Sequence, residues 1–247
     1  MSWTSDLKVL YHLAVKPVRG GSHAERMESF YAGQADAYDD FRKRLLQGRR
    51  ELWGSIPVPP DGTWVDFGGG TGANLEYFGD SIQALRRVYV VDLASSLLEV
   101  ASARARRAGW SQVSPVAADA TTWTPPDGLV DVVTFSYSLT MIPDWFAAVD
   151  NARRILKPGG YLGVVDFYVS RKHAGEASRQ HGVFTRWGWP AWFSLDNVFP
   201  SADHIPYLKR HFVVEHFEEG RARVPYLPLA RVPYYRFVGR KAPENAA

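Results

Sequence analysis

The stretch Val65-Asp66-Phe67-Gly68-Gly69-Gly70-Thr71-Gly72 sets four glycines just past an acid and Phe67, between an apolar run and a helical pattern. Gly68, Gly69, Gly70 and Gly72 allow positive φ and bring backbone amides close to a ligand at a helix start. The same letters satisfy a loose dinucleotide fingerprint, Gly68-x-Gly70-x-x-Ala73, and a tight strand-to-helix turn is the plain alternative. Asp66 separates these readings. An acid there repels a pyrophosphate but accepts a bond from the ammonium of a bound amino acid. Asp92, about 20 residues past the loop, closes Val88-Tyr89-Val90-Val91-Asp92, where a carboxylate can take both ribose hydroxyls. Leu93 stands beside it as a further contact, and a helix N-cap before Ser95 is the competing role for Asp92. Asp119 is placed to accept from an adenine amine, with the Ala120 amide on the ring; an ordinary turn residue is the equal alternative. This set points to S-adenosyl-L-methionine, leaving as S-adenosyl-L-homocysteine, with no metal.

The fourth apolar run ends in Phe135-Ser136-Tyr137-Ser138 and continues as Leu139-Thr140-Met141-Ile142-Pro143-Asp144-Trp145. Ligands of open α/β sheets bind outside the carboxyl ends of the strands, so Ser136, Tyr137 and Ser138 should face the methyl group, with Ser136 counted among the cofactor contacts. The Asn/Asp-Pro-Pro-Tyr motif of adenine-amine methylation is missing here. With no cysteine in the chain there is also no nucleophile for cytosine C5 methylation, so no nucleic-acid partner is expected. Transfer from a sulfonium is an in-line displacement in which alignment and desolvation are worth up to roughly 7 to 11 kcal/mol. An amine acceptor must first lose a proton, and water, a tyrosine or a histidine could take it. Aromatic faces suit an increasingly cationic acceptor at about 0.5 to 2 kcal/mol per contact. Tyr31, Tyr38, Tyr137, Trp192, Tyr207 and Tyr235 form the pool for such a wall; of these Tyr31, Tyr38, Tyr137 and Tyr207, with His204, are the candidate catalytic residues. Core packing competes for each, and an exposed Trp187-Gly188-Trp189-Pro190-Ala191-Trp192 would instead anchor beside lipid headgroups. Arg42, Lys43, Arg44 and Arg49 could hold a carboxylate or anionic lipid, or form a solvated helix face.

The elements that must position these residues follow from the alternation of short β-rich runs with helical patterns: Trp64 to Phe67, Val88 to Val91, Val113 to Ala117, Val130 to Phe135 and Tyr161 to Phe167. One domain is expected over 1–247: an N-terminal helical cap (1–56) opened by a Ser22-x-x-Glu25 capping box, a cofactor-binding core (63–170), an aromatic insertion (171–210) and C-terminal antiparallel strands (211–241). Runs at His211 to Phe217 and Val232 to Val238, separated by Gly220, Pro225 and Pro228, read as a pair at the sheet edge. Lys157-Pro158-Gly159-Gly160 before the fifth strand completes a layout that resembles the class I methyltransferases, an α/β Rossmann-like fold with a seven-stranded, mostly parallel sheet.

The string Phe30-Tyr31-Ala32-Gly33-Gln34-Ala35-Asp36-Ala37-Tyr38-Asp39-Asp40-Phe41-Arg42-Lys43-Arg44-Leu45-Leu46-Gln47-Gly48-Arg49 resembles the methyltransferase part of betaine-lipid synthesis, the diacylglycerylhomoserine N-methyltransferase family. The resemblance continues through Ser138 to Trp145, Trp192 to Phe199, His204 to Leu208 and Arg231 to Lys241. It implies three successive methylations of the amine of a homoserine-headed glycerolipid, and a separate pathway partner that builds the headgroup. Other lipid or small-molecule amines, a quinone-type acceptor, and a non-catalytic cofactor-binding scaffold are the alternatives.

The whole-chain properties bound these readings. At 247 residues and 46% hydrophobic content, one α/β unit with a sizeable core accounts for the length. The apolar runs are far shorter than the roughly 18 residues of a membrane span, and the start does not resemble a signal peptide. A cytoplasmic location is expected, with peripheral contact at the inner membrane face left open.

Overall fold

The computed structural model describes Gly21, Glu25 and residues 44–173, 175, 179–194, 197–224 and 227–243. The expected helix start at Ser22, and Tyr31, Tyr38, Arg42 and Lys43, lie outside the described residues. Five apolar runs form β1 (Thr63–Phe67), β2 (Arg87–Asp92), β3 (Val113–Ala117), β4 (Val130–Ser136) and β5 (Leu156–Phe167). With β6 (Val213–Val224) and β7 (Leu227–Arg240), the described residues build a seven-stranded sheet ordered β3-β2-β1-β4-β5-β7-β6. β1 runs parallel to β2 and β4, whereas β7 is antiparallel to both β5 and β6. The mostly parallel, seven-stranded architecture implied by the class I resemblance is therefore present.

Every residue of β1 is buried, as a central strand covered on both faces requires. Alternate side chains supply two cores: Trp64, Val88, Val90 and Val132 on one face, Val65, Phe67, Val91 and Phe135 on the other. The covering helices are α1 (Arg49–Gly54), α2 (Ser95–Ala108), α3 (Trp145–Ile155), α4 (Val183–Phe193) and α5 (His204–His211). α2 buries Leu97, Leu98, Ala101 and Ala105, a stripe at helical spacing, and stops at Gly109 with φ 70°. α3 starts where the Asp144 carboxylate accepts from the Ala147 amide at 3.2 Å.

Two elements differ from expectation. The helix expected after the glycine loop is a 3-10 segment, Ala73–Ala84, broken at Gly79 (φ 54°, ψ −137°), so no continuous α-helix leaves the loop. The two C-terminal strands are longer than their apolar runs and form one hairpin whose arms are separated by two residues. Gly220 is a strand residue rather than a turn. A Cβ there would lie 2.5 Å from the Tyr234 ring, so the missing side chain makes room for cross-strand packing.

Candidate functional site

A cavity of about 250 Å³ lies at the carboxyl ends of β1 to β4, where the strand order reverses beside β1. Gly68 and Gly70 line it with φ of 66° and 53°, values that a side chain would strain. The turn is also pressed against the exit of β4. A Cβ on Gly68 would lie 2.4 Å from the Ser138 Cβ, and the Ser138 hydroxyl donates to the Phe67 carbonyl at 2.8 Å.

At the rim, the Asp92 carboxylate is oriented by two backbone amides, Gly70 to Oδ2 and Ala94 to Oδ1, each at 2.9 Å. α2 is capped at Ala94 without a side-chain bond, so Asp92 is not that helix's N-cap. Leu93 continues the same wall. Asp119 both lines the cavity and forms a turn, its Oδ1 accepting from the amide and hydroxyl of Thr121 at 2.8 Å. Between these acids, Leu97, Ala120, Met141, Ile142 and Pro143 provide apolar walls. Two acceptor carboxylates flanking an apolar slot match an adenosine, whose ribose hydroxyls and ring amine donate while its faces are flat and apolar.

The Met141 to Asp144 wall is tied to the sheet through its neighbour. Thr140 donates from its amide and hydroxyl to the two Asp166 oxygens at 3.1 and 2.7 Å, while its carbonyl accepts from the Phe199 amide at 2.7 Å. Complete burial pushes the Asp166 carboxyl up to about 7.

Asp66 lies beneath the turn rather than on the cavity wall, and is buried. Its oxygens accept from the Asn74 amide at 3.0 Å and the Thr134 hydroxyl at 2.8 Å. Thr134 in turn accepts from the Trp64 indole at 3.0 Å, and Asn74 accepts from Arg49 at 3.3 Å. Burial raises the Asp66 carboxyl to about 6 in spite of these bonds, which oppose the shift. Arg49, considered above as a carboxylate or lipid contact, is buried and donates to Asn74 and the Leu46 carbonyl.

Tyr137 enters the cavity with φ 55°, a left-handed conformation that costs a bulky residue about 1 to 3 kcal/mol. Its hydroxyl donates to the Gln47 carbonyl at 2.5 Å, and its ring packs on Phe167 with centroids 4.6 Å apart. Burial holds the phenol well above its ordinary value, so it stays protonated.

Of the expected site residues, Gly68, Gly70, Asp92, Leu93, Asp119, Ala120 and Tyr137 meet around this cavity. Gly69 and Gly72 shape the turn without lining it: a Cβ on Gly69 would press on Val90, and Gly72 faces Leu75 and Ala101. Ser136, His204 and Tyr207 also stand apart from the cavity lining. Ser136 is buried, its hydroxyl has no partner among the described residues, and it does not line the cavity. His204 is fully buried, edge-on to Trp145 at 4.6 Å, and burial pushes its imidazole down to about 3, so it is a neutral core residue and not a base. Tyr207 spends its hydroxyl on Asp150 at 2.9 Å and packs on Trp145, away from the cavity lining. Trp192 and Tyr235, also in the aromatic pool, are exposed and fully buried respectively, and neither lines the cavity. The Asn74 and Asp166 contributions were not anticipated. A signal for Asn74 was its position two residues past Gly72, where a short amide can reach back under the turn.

Residues 33–219 match the family model described as a methyltransferase domain. The ubiquinone/menaquinone biosynthesis C-methyltransferase UbiE of Shewanella baltica is 28% identical over 162 residues, 63% of this chain and 64% of the relative. The chain thus spans about 64% of the length of such curated relatives. Among solved structures, a SAM dependent methyltransferase from Aquifex aeolicus superposes with TM-score 0.56 at 15% identity, covering 81% of this chain and 93% of that one. The phosphoethanolamine N-methyltransferase 2 of Haemonchus contortus, in complex with phosphomonomethylethanolamine and S-adenosylhomocysteine, gives TM-score 0.58 at 15% identity, covering 83% of this chain and 53% of that one. At these identities the structures establish the shared fold.

Proposed function

The chain belongs to the methyltransferase domain family and is a class I, S-adenosylmethionine-dependent methyltransferase; from that premise we propose that it methylates the amine of diacylglycerylhomoserine three times to give a betaine lipid. When bound, the cofactor supplies an electrophilic methyl on a sulfonium. Asp92 would hold the ribose hydroxyls, Asp119 the adenine amine, and Leu93 and Ala120 would flank the ring. The turn at Gly68 and Gly70 would admit the amino-acid arm, and the buried Asp66 carboxylate beneath it would offset the ammonium charge.

The observation that carries the amine reading is Tyr137. With its hydroxyl committed to Gln47 and its phenol held protonated, it offers the reaction centre a ring and not a base. A ring suits an acceptor that gains positive charge and loses donors with each methyl, at about 0.5 to 2 kcal/mol per contact. Phe167 and Phe193 extend the aromatic surface behind it, stacked with centroids 5.0 Å apart. The long sequence resemblance over Phe30 to Arg49 and Arg231 to Lys241 supports the homoserine headgroup, and with it a separate enzyme that builds that headgroup.

The similarity to UbiE favours a second reading, methylation of a quinone ring carbon. Either acceptor must shed a proton, and the cavity's described acids, Asp92, Asp119 and Asp144, each accept from backbone amides, so proton removal does not separate the two readings. Mass spectrometry after incubation with isotopically labelled S-adenosylmethionine separates the two. Mono-, di- and trimethylated diacylglycerylhomoserine are expected; a methylated quinol with unmodified amine lipid would overturn the proposal in favour of the second reading.

A further inference from the structure

α4 reverses the usual arrangement of a surface helix. Its exposed positions are Val183, Phe184, Trp187, Gly188, Ala191 and Trp192, at spacings of one, four, five, eight and nine, which is a single helical face. None of the six is polar. Phe184 is 94% exposed, Trp187 75% and Trp192 52%, while the helix's one charged residue, Arg186, is turned partly inward. Phe193 is buried on the opposite side and stacks on Phe167, which packs on Tyr137 in the cavity wall. The apolar face is therefore mounted two ring contacts from the reaction centre.

Its surroundings are cationic. From Arg171 to Phe193 the chain carries Arg171, Lys172, Arg179 and Arg186 against one acid, Glu176. Lys172 and Arg179 are exposed just ahead of the helix, and Arg171, also exposed, is ion-paired with Asp203 at 2.6 Å. A protein partner of ordinary composition would not select for both features. A stripe of tryptophan and phenylalanine beside basic side chains matches the anionic surface of a bilayer, with rings at the acyl boundary and cations among phosphates.

We propose that α4 is a membrane-docking helix, which lies in the interface of an anionic bilayer through Phe184, Trp187 and Trp192. No helix among the described residues is long and apolar enough to cross a membrane, and an in-plane attachment needs none. Docking on this face brings the Tyr137 side of the cavity toward the lipid surface. It is independent of which acceptor is methylated.

Co-sedimentation of the full chain with vesicles that hold no acceptor tests this, using phosphatidylcholine alone and phosphatidylcholine mixed with phosphatidylglycerol. Binding to the anionic vesicles is expected, weakening as salt rises. The double variant Phe184→Ser, Trp187→Ser should bind them at least about tenfold less, since both side chains already lie in solvent and the fold loses little. Affinity for S-adenosylhomocysteine serves as the control for folding and should stay unchanged. Absence of vesicle binding by the unaltered chain, or equal binding by the variant, would overturn the proposal. So would a variant that changes oligomeric state at equal cofactor affinity, since that outcome assigns the face to a second copy of the chain.

Discussion

The two sides of the cavity are built by different means. At the ends of β1 to β3, backbone amides and carboxylates do the work: Gly70 and Ala94 orient Asp92, Thr121 orients Asp119, and Asp66 is fixed from below by Asn74 and Thr134. Beyond β4, the groups are rings, from Tyr137 through Phe167 to Phe193, then the bare aromatic face of α4. Hydrogen bonds prescribe a partner and a geometry, whereas rings serve equally as core, as binding wall or as surface. The first side specifies its ligand closely. The second specifies a class of ligand, apolar and tolerant of positive charge.

Changes on the polar side should have the larger effects. Gly68→Val forces a β-branched residue into φ 66° with its Cβ against Ser138, and a loss of at least about 3 kcal/mol is expected in urea denaturation. Stability close to that of the unaltered chain would show that the turn can be rebuilt, and would remove the difference between the sides. Asp66 provides a milder probe. Its carboxyl sits near 6 without ligand because it is buried, and the cofactor's ammonium favours the ionised form. Cofactor affinity should hold above that value and fall as pH drops through it, by up to about tenfold per unit. Asp66→Asn should be weaker binding at neutral pH and flat across the same window; a parallel pH dependence in the variant would assign the titration to another group. On the aromatic side, Tyr137→Phe keeps the ring and loses the bond to Gln47, so an effect of about 1 kcal/mol on stability and a rate within several-fold are expected. A rate loss of a thousandfold would make the hydroxyl, not the ring, the functional part and would remove the difference between the two sides.

The same division explains what could be read in the sequence. The sheet was legible because parallel strands buried on both faces are continuous apolar runs, and the loop was legible because few residues besides glycine accept its backbone. Asp92 and Asp119 followed from their positions at strand ends. Asp66 stands out in the sequence as an acid ahead of the glycines, but its burial under the turn depends on Asn74 and Thr134, which come from different elements. Among the rings, His204, Ile205 and Leu208 share a buried face of α5, and Val183, Trp187 and Ala191 share an exposed face of α4, with the same periodicity. Periodicity tells which residues point together and is silent on whether that direction meets protein or solvent. That is why His204 and Tyr207 were drawn into the site and the α4 face was not resolved between core, wall and anchor.

The cofactor side can be tested at one atom group. Asp92 carries the ribose in this account, and its carboxylate is held at the cavity rim by two amides whatever the acceptor proves to be. Calorimetric titration of S-adenosylhomocysteine into the unaltered chain and into Asp92→Ala measures its contribution directly. Loss of charge-assisted bonds to two hydroxyls should weaken binding at least about a hundredfold, and an unchanged affinity would contradict the assignment of this cavity to the cofactor.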